Sequence, residues 1–291
     1  MKHNPCATSL LIAAVLAFPG LIVAAEHSEA TLDKIARTGE FVIGYRADAS
    51  PLSYENSEGQ PSGYSVDLCR RVAASVKAHF ADKEIETKYV RITADERISA
   101  IVDGDVDIEC GSTTITLSRQ ERVDFSIPTF VTGGSVLTLA ASGVQGMSDL
   151  SGKKIGVAKD TTTVEQLRAH LQKNLIDAEV VIVDNRDIGM RYLNRGDIDA
   201  LASDQIVLIG QIIEAIDPKR YSLNNEIFSY EPYGLVMRRD DADFRLLVNK
   251  SLAQLYRSGA HVDIYYKWIG RIGINVPPIL AAMYQLNALP E

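Results

Sequence analysis

The segments VDGDVDI at Val102–Ile108 and NRGDIDA at Asn194–Ala200 decide the fold, because they repeat one pattern in the two halves of the chain. In each segment the glycine stands where a helix ends and a buried strand begins, a position that favours glycine because the backbone there turns left-handed. The repetition predicts two similar lobes, since two copies are too few for a solenoid.

Strands and helices alternate around both copies. Around the first copy, apolar runs predict strands at Phe41–Gly44, Thr87–Ile92 and Val106–Cys110 and helices at Tyr64–Phe80 and Ala94–Val102. Around the second copy they predict strands at Lys154–Ala158, Val180–Val183 and Ile198–Ala202 and helices at Thr163–Leu175 and Asp187–Asn194. This order is typical of α/β proteins with a parallel sheet.

Two further apolar runs, in Thr129–Ala140 and Tyr233–Met237, separate these groups and are interpreted as crossover strands. Two such crossings make a hinge, and ligands of α/β proteins bind outside the carboxyl ends of the strands. We therefore predict an α/β fold in which lobe 1 comprises residues 26–133 and 234–291. Lobe 2 comprises residues 134–233, including the hinge strands.

The first 25 residues are predicted to be a signal peptide. Met1–His3 form a cationic start, Leu10–Val23 are apolar, and Val23–Ala25 end in small residues that suit cleavage before Glu26. The mature protein is therefore expected in the periplasm.

The composition excludes several classes of protein. The net charge is −8 with dispersed basic residues, which argues against a nucleic-acid partner or a polybasic membrane surface. No stretch after residue 26 has the roughly 18 apolar residues of a membrane span. The sequence has neither a metal-binding motif nor a cofactor motif, so we expect no metal and no cofactor.

Cys69 and Cys110 remain in the mature chain and are expected in an oxidising compartment. They can form a disulfide or remain as two small buried side chains. We predict that they lie near each other, because Cys69 is in the helix after the first strand and Cys110 ends a neighbouring strand.

The segment ECGSTTITLSR at Glu109–Arg119 is the most informative for function. A buried strand ends in a glycine turn and is followed by hydroxyl side chains with their backbone N–H groups. Thr114 offers an N–H and an oxygen, and Arg119 can hold a carboxylate through two hydrogen bonds. This pattern indicates an anion site, and its structural alternative is a helix cap with a solvated arginine.

The whole layout resembles the extracellular solute-binding proteins of polar amino-acid ABC importers, family 3, over residues 31–270. The resemblance depends on Gly63–Leu68, Cys110–Arg119, the repeated Gly-Asp segments and Tyr266–Trp268. Glu109–Thr114 and Gly44–Arg46 are similar to the glutamate/aspartate-binding branch. The resemblance implies a two-lobed, type II periplasmic-binding fold, an acidic amino acid as ligand and a membrane permease as partner.

The same resemblance assigns roles to side chains that would bind the amino-acid backbone of the ligand. Arg119 and Thr114 would hold the α-carboxylate, with help from Thr161 and Thr162 at the start of a helix in lobe 2. Asp204 would bind the α-ammonium group. The backbone carbonyl of Ser112 would assist it.

Arg46 and Arg97 would bind the distal carboxylate by that resemblance, and a surface location is the alternative for each. Thr93 and Glu96 form a predicted capping box that places Arg97 near the first turn of its helix. Relatives often have Ser at the position of Ala94 and His at the position of Arg186. Three roles are therefore open for Arg186. It could strengthen the binding of a dicarboxylate, it could indicate a ligand with more negative charge, or it could face solvent.

Two other functions use the same fold. An exported enzyme similar to cyclohexadienyl dehydratase would need a general acid in the cleft. His79, His170 and His261 fall on helix-like segments, which leaves Glu or Asp as the residue type that could serve. A sensor on this fold would signal its closure to a membrane partner. The sequence up to residue 291 shows no transmembrane segment or signalling domain for that role. A monomeric binding protein is the expectation.

Overall fold

The computed structural model describes Met1 and residues 29–290, so the predicted signal peptide and its cleavage site lie outside the described residues. The helices are α1 (Thr31–Thr38), α2 (Tyr64–His79), α3 (Arg97–Val102), α4 (Leu117–Gln120), α5 (Thr162–Lys173), α6 (Arg186–Arg195), α7 (Gln205–Glu214), α8 (Ala242–Arg257), α9 (His261–Trp268) and α10 (Pro278–Asn287). The strands are β1 (Glu40–Tyr45), β2 (Asp48–Ala49), β3 (Ser53–Glu55), β4 (Pro61–Ser62), β5 (Glu86–Arg91), β6 (Ile108–Glu109), β7 (Val123–Phe125), β8 (Phe130–Thr132), β9 (Gly134–Leu139), β10 (Lys154–Ala158), β11 (Glu179–Val183), β12 (Ala200–Asp204), β13 (Tyr221–Leu223), β14 (Glu231–Tyr233) and β15 (Val236–Arg238).

Each lobe is built on a five-stranded sheet, with strand order β5-β1-β6-β15-β7 in lobe 1 and β11-β10-β12-β9-β13 in lobe 2. The first three strands in each order are parallel, as the strand–helix alternation predicts. The fourth strand in each order, β15 or β9, runs antiparallel to both of its neighbours, and it is the strand whose segment has just crossed from the other lobe. Both sheets are therefore mixed rather than purely parallel.

The repeated segments have the same structure in the two lobes. Their glycines have φ values of 79° and 77°, the left-handed conformation expected at a helix C-terminus. The carboxylate of Asp107 accepts a hydrogen bond from the Val42 backbone N–H at 2.8 Å, and that of Asp199 accepts one from the Lys154 N–H at 2.8 Å. Each repeat thus joins its own strand to the neighbouring strand of its sheet.

The hinge consists of β8 and β14, which pair with each other as a two-stranded antiparallel sheet. Each run predicted as one crossover strand is divided into two short strands, β8 with β9 and β14 with β15. A glycine separates the two parts in both runs, and a side chain at Gly133 would collide with Ile227 and the Ser229 carbonyl. The chain therefore bends between the hinge and each sheet.

The C-terminal helices return to lobe 1 and share its apolar core, which includes Phe41, Tyr64, Phe244 and Trp268. Asp67 joins two of the motifs that support the family resemblance, because its Oδ2 accepts hydrogen bonds from Trp268 Nε1 and from the Lys267 ammonium, both at 2.7 Å. Both motifs therefore stabilise lobe 1. In the described part of the chain, no helix combines the length and the hydropathy of a membrane span.

Candidate functional site

The predicted site residues converge between the lobes, at the carboxyl ends of parallel strands from both sheets. Arg46 follows β1, Ser112 and Thr114 follow β6, and Asp204 is the last residue of β12. All four are buried. The strand ends of the two lobes thus face each other across one cleft.

A hydrogen-bond network joins Thr114 of lobe 1 to Thr162 of lobe 2. Both hydroxyls donate to Oε2 of Glu231, at 2.7 Å and 2.9 Å, and their oxygens are 3.4 Å apart. Thr162 is the first residue of α5, and the N-cap is Thr161. The hydroxyl of Thr161 donates to the Ala158 carbonyl at 2.8 Å, so that side chain turns back towards its own strand.

Arg119 lies beside this network on the short helix α4. Thr116 caps that helix by accepting a hydrogen bond from the Arg119 N–H at 3.2 Å, which is the predicted helix-cap alternative for this motif. The Arg119 guanidinium is directed inwards, where Nη1 donates to the Thr114 carbonyl at 2.8 Å. Burial lowers the pKa of Arg119, opposed by the nearby carboxylates of Glu109 and Glu231. The motif therefore contains a helix cap and an inward-pointing cation.

Asp204 provides a further carboxylate of the site. It accepts a hydrogen bond from the Tyr233 hydroxyl, and Arg186 Nη2 lies 4.0 Å from its Oδ2. Burial raises the pKa of Asp204 to about 6, and the negative charge of Glu231 contributes to the shift. Its Oδ1 has no hydrogen-bond partner among the described residues.

Arg46, Arg97 and Arg186 form a buried cationic cluster with side chains from both lobes. Arg46 Nη2 donates to Asp48 Oδ1 at 2.5 Å, and Arg97 Nη2 donates to the Asp160 carbonyl of lobe 2 at 2.9 Å. Within residues 29–290, Nε and Nη1 of Arg46, Nε of Arg97 and Nη1 of Arg186 lack a hydrogen-bond partner. A buried N–H without a partner is costly, so these donors are suited to an anionic group within the cleft.

Arg186 is buried, so of its three predicted roles the solvent-facing one is wrong. Its Nε donates to the Ser203 hydroxyl at 2.8 Å, and its Nη1 lies 3.8 Å from Asp48 Oδ2 of lobe 1. Asn185 caps α6 and directs its first residue, Arg186, into the cleft.

Three carboxylates of the site were missed by sequence reasoning: Asp48, Glu109 and Glu231. Glu109 is fully buried at the end of β6, and burial raises its pKa while the charge of Arg97 opposes the shift. The signal available in the sequence was a glutamate inside an apolar strand, next to the predicted anion motif. Asp48 and Glu231 stand in short polar segments that show no such contrast.

The lobes also touch at the rim of the cleft. Lys159 of lobe 2 lies 3.6 Å from Asp95 of lobe 1 and 3.5 Å from Asp184 of its own lobe. On another side, a Cβ added to Gly210 of α7 would lie 2.0 Å from the Ser50 carbonyl oxygen. The structure thus has the lobes closed against each other.

A disulfide joins Cys69 of α2 to Cys110, with their Cα atoms 6.3 Å apart. Cys110 directly precedes the glycine turn that carries Ser112 and Thr114. The bond therefore ties the first part of the site loop to the core of lobe 1.

Comparison with known proteins gives one consistent family. The family model for bacterial extracellular solute-binding proteins, family 3, matches residues 41–271. An L-glutamate/L-aspartate-binding protein of Pseudomonas aeruginosa is 32% identical over 93% of this chain and 88% of its own length. A glutamate/aspartate import solute-binding protein of Escherichia coli is 30% identical over 92% of this chain and 89% of its own length. Among solved structures, a mutant of ArgBP from T. maritima has a TM-score of 0.71 and 26% identity, covering 82% of this chain and 99% of that protein.

Proposed function

The chain belongs to the bacterial extracellular solute-binding proteins of family 3, and from this we propose that it captures an acidic amino acid, glutamate or aspartate, between its lobes. The ligand would then pass to the membrane permease of an ABC importer. The name of the Pseudomonas aeruginosa relative states the same ligands.

The observation that carries the proposal is a set of buried polar groups of both charges in the cleft that have no hydrogen-bond partner within residues 29–290. Arg46, Arg97 and Arg186 supply buried N–H donors without partners among the described residues. Asp204 supplies a buried carboxylate oxygen that is likewise unpaired. A ligand with a distal carboxylate and an α-ammonium group complements both sets, because each buried charge then gains an opposite charge.

Each predicted site residue has a role in this proposal. Arg119 and the Thr114 N–H would hold the α-carboxylate, with the N-terminal backbone of α5 at Thr161 and Thr162 assisting. Asp204 and the Ser112 carbonyl would hold the α-ammonium group. The distal carboxylate would then lie among the cationic cluster.

The alternative of an exported enzyme needs a general acid within the cleft. The histidine rings of the described region pack elsewhere: His170 against Phe228, His261 between Tyr256 and Tyr284, and His79 against Phe80. A general acid in the cleft would therefore have to be a buried carboxyl such as that of Asp204 or Glu109. The curated relatives are named as binding proteins. We therefore propose a monomeric periplasmic binding protein without catalytic activity, composed of the two lobes and exported by residues 1–25.

Binding to the mature chain, residues 26–291 stripped of ligand, tests the proposal. Saturating glutamate or aspartate should raise the melting temperature and reduce the radius of gyration in solution scattering, because both lobes contribute to one site. Calorimetry against glutamine, asparagine and glutarate should then rank the acidic amino acids first. Unchanged melting temperature and radius with both acidic ligands would exclude this function, and turnover of prephenate or arogenate would favour the enzyme.

A further inference from the structure

Glu231 is a buried carboxylate on the hinge strand β14, and the proposed function gives it no direct role. Its side chain is almost completely shielded, at 1% exposure. Its Oε2 accepts hydrogen bonds from Thr114 Oγ1 of lobe 1 and Thr162 Oγ1 of lobe 2. One carboxylate oxygen therefore connects both lobes from the hinge.

The other oxygen of Glu231 is held by the hinge itself. Ser229 Oγ donates to Glu231 Oε1 at 2.7 Å, and the same Ser229 oxygen accepts a hydrogen bond from the Gly134 N–H at 2.9 Å. Glu231 also pairs through its backbone with Thr132 of β8. The orientation of the carboxylate is thus fixed by both crossing segments.

These contacts decide which hydrogen bonds the two threonines can still make. A hydroxyl has one proton to donate and two lone pairs that accept. Because Thr114 and Thr162 both give their protons to Glu231, each has only acceptor capacity left. A ligand carboxylate has no proton to offer them at neutral pH, whereas a ligand ammonium group carries three.

The charge of Glu231 acts at the same end of the site. It raises the pKa of Asp204, second in effect to the burial of that carboxyl. Thr114 Oγ1 is hydrogen-bonded to Glu231, and Thr114 also follows Ser112, whose carbonyl is a proposed ammonium acceptor. Glu231 therefore adds negative charge and two oriented acceptors to the region around Asp204.

We infer that Glu231 is a positioning residue that fixes the Thr114 and Thr162 hydroxyls as acceptors for the ligand ammonium group. Since the two hydroxyls come from different lobes, they meet at Glu231 only when the lobes are closed. Glu231 thus couples recognition of the amino group to closure. This inference rests on the proposed function to the extent that the ligand is an amino acid.

A double-mutant cycle tests the inference, with Glu231→Met, Thr162→Val and the double variant titrated with glutamate by calorimetry. Methionine matches the length of glutamate but accepts no comparable hydrogen bond, so Glu231→Met should weaken binding by at least about tenfold. Thr162→Val alone should also weaken binding. It should change affinity by less than about threefold when added to Glu231→Met, because the hydroxyl is then no longer oriented.

Conservative rescue and ligand choice separate positioning from a general structural effect. Glu231→Gln keeps an oxygen that can accept from both hydroxyls, so it should bind glutamate more tightly than Glu231→Met. Glutarate, which lacks the amino group, should lose much less affinity than glutamate in Glu231→Met, as measured by competition. Equal losses for the two ligands, or additive effects in the cycle, would overturn the inference.

Asp107→Asn is the control, because Asp107 is another buried carboxylate, and its hydrogen bonds from the Val42 backbone N–H and the Lys34 ammonium lie within lobe 1, away from the ligand. It should lower the melting temperature without changing the preference for glutamate over glutarate.

If Glu231→Met does not fold, Thr162→Val must by itself reduce the preference for glutamate over glutarate, or the inference fails. If the wild type prefers glutamine, the acidic assignment is wrong, and the cycle is then run with glutamine.

Discussion

Arg97 and Arg46 are the residues at which ligand selectivity and affinity should separate. Both are buried, and both retain donors without a partner among the described residues. Arg97→Leu would remove one of the buried cations that face the distal carboxylate of a bound ligand. Glutamate and aspartate should therefore lose about 2–5 kcal/mol of binding free energy, and glutamine and asparagine much less.

Calorimetry of Arg97→Leu and Arg46→Leu with glutamate and glutamine measures this difference directly. If either substitution reduces both affinities by the same factor, that arginine does not determine selectivity. Arg186 would then be the leading candidate, because its Nη1 faces the same cluster.

Asp204 should make binding depend on pH, because its pKa is raised to about 6 by burial and by the charge of Glu231. Above that pH the carboxylate is ionised and attracts the ligand ammonium group. Below it the group is protonated and the attraction is lost. Glutamate affinity should therefore fall as the pH is lowered through about 6, by up to about tenfold per pH unit.

Titrations between pH 5 and pH 8 test this dependence, since glutamate itself keeps one charge state over that range. Asp204→Asn should bind more weakly at pH 8 and should lose most of the pH dependence. A variant with the same pH profile as the wild type would show that another group is responsible.

At the scale of elements, helix α7 limits how closely the lobes approach. Gly210 lies against the backbone of Ser50 and Pro51, where an added Cβ would be 2.0 Å from a carbonyl oxygen. Gly210→Ala should hold the lobes apart and weaken every amino-acid ligand by a similar factor. The unliganded protein should remain as stable as the wild type or become more stable, because alanine favours a helix by about 1 kcal/mol over glycine.

Scattering with saturating ligand should show a less compact Gly210→Ala protein, and calorimetry should show the loss of affinity. Gln211→Ala, at the next position of α7, adds no atom near Ser50 and serves as the control. Normal closure and affinity in Gly210→Ala would mean that the contact is easily displaced.

For the whole molecule, local patterns predict most of the regular elements and much less of the pairing between them. The helix predicted at Tyr64–Phe80 is found at Tyr64–His79, because its apolar stripe is a local property. The strand predicted at Val106–Cys110 is reduced to Ile108–Glu109. Its extent depends on the strands beside it, and β15 comes from the far part of the chain.

The same distinction applies to the site. Arg119 and Thr114 belong to one motif and are predicted together, whereas Glu231 acquires its role only when Thr114 of lobe 1 and Thr162 of lobe 2 both reach it at the hinge. The burial of Arg186 likewise depends on Asp48, which is distant in sequence. The roles of Glu231 and Asp48 therefore have no local signal in the sequence.

The contact of Lys159 with Asp95 at the rim has a kinetic consequence. The pair is substantially exposed, so it contributes little to thermodynamic stability. A ligand enclosed between the lobes leaves only when they separate, and salt weakens this bridge between them. Salt also screens the repulsion between a chain of net charge −8 and an anionic ligand. Higher ionic strength should therefore shorten the residence time of the ligand, which the rate of ligand release at several salt concentrations would measure.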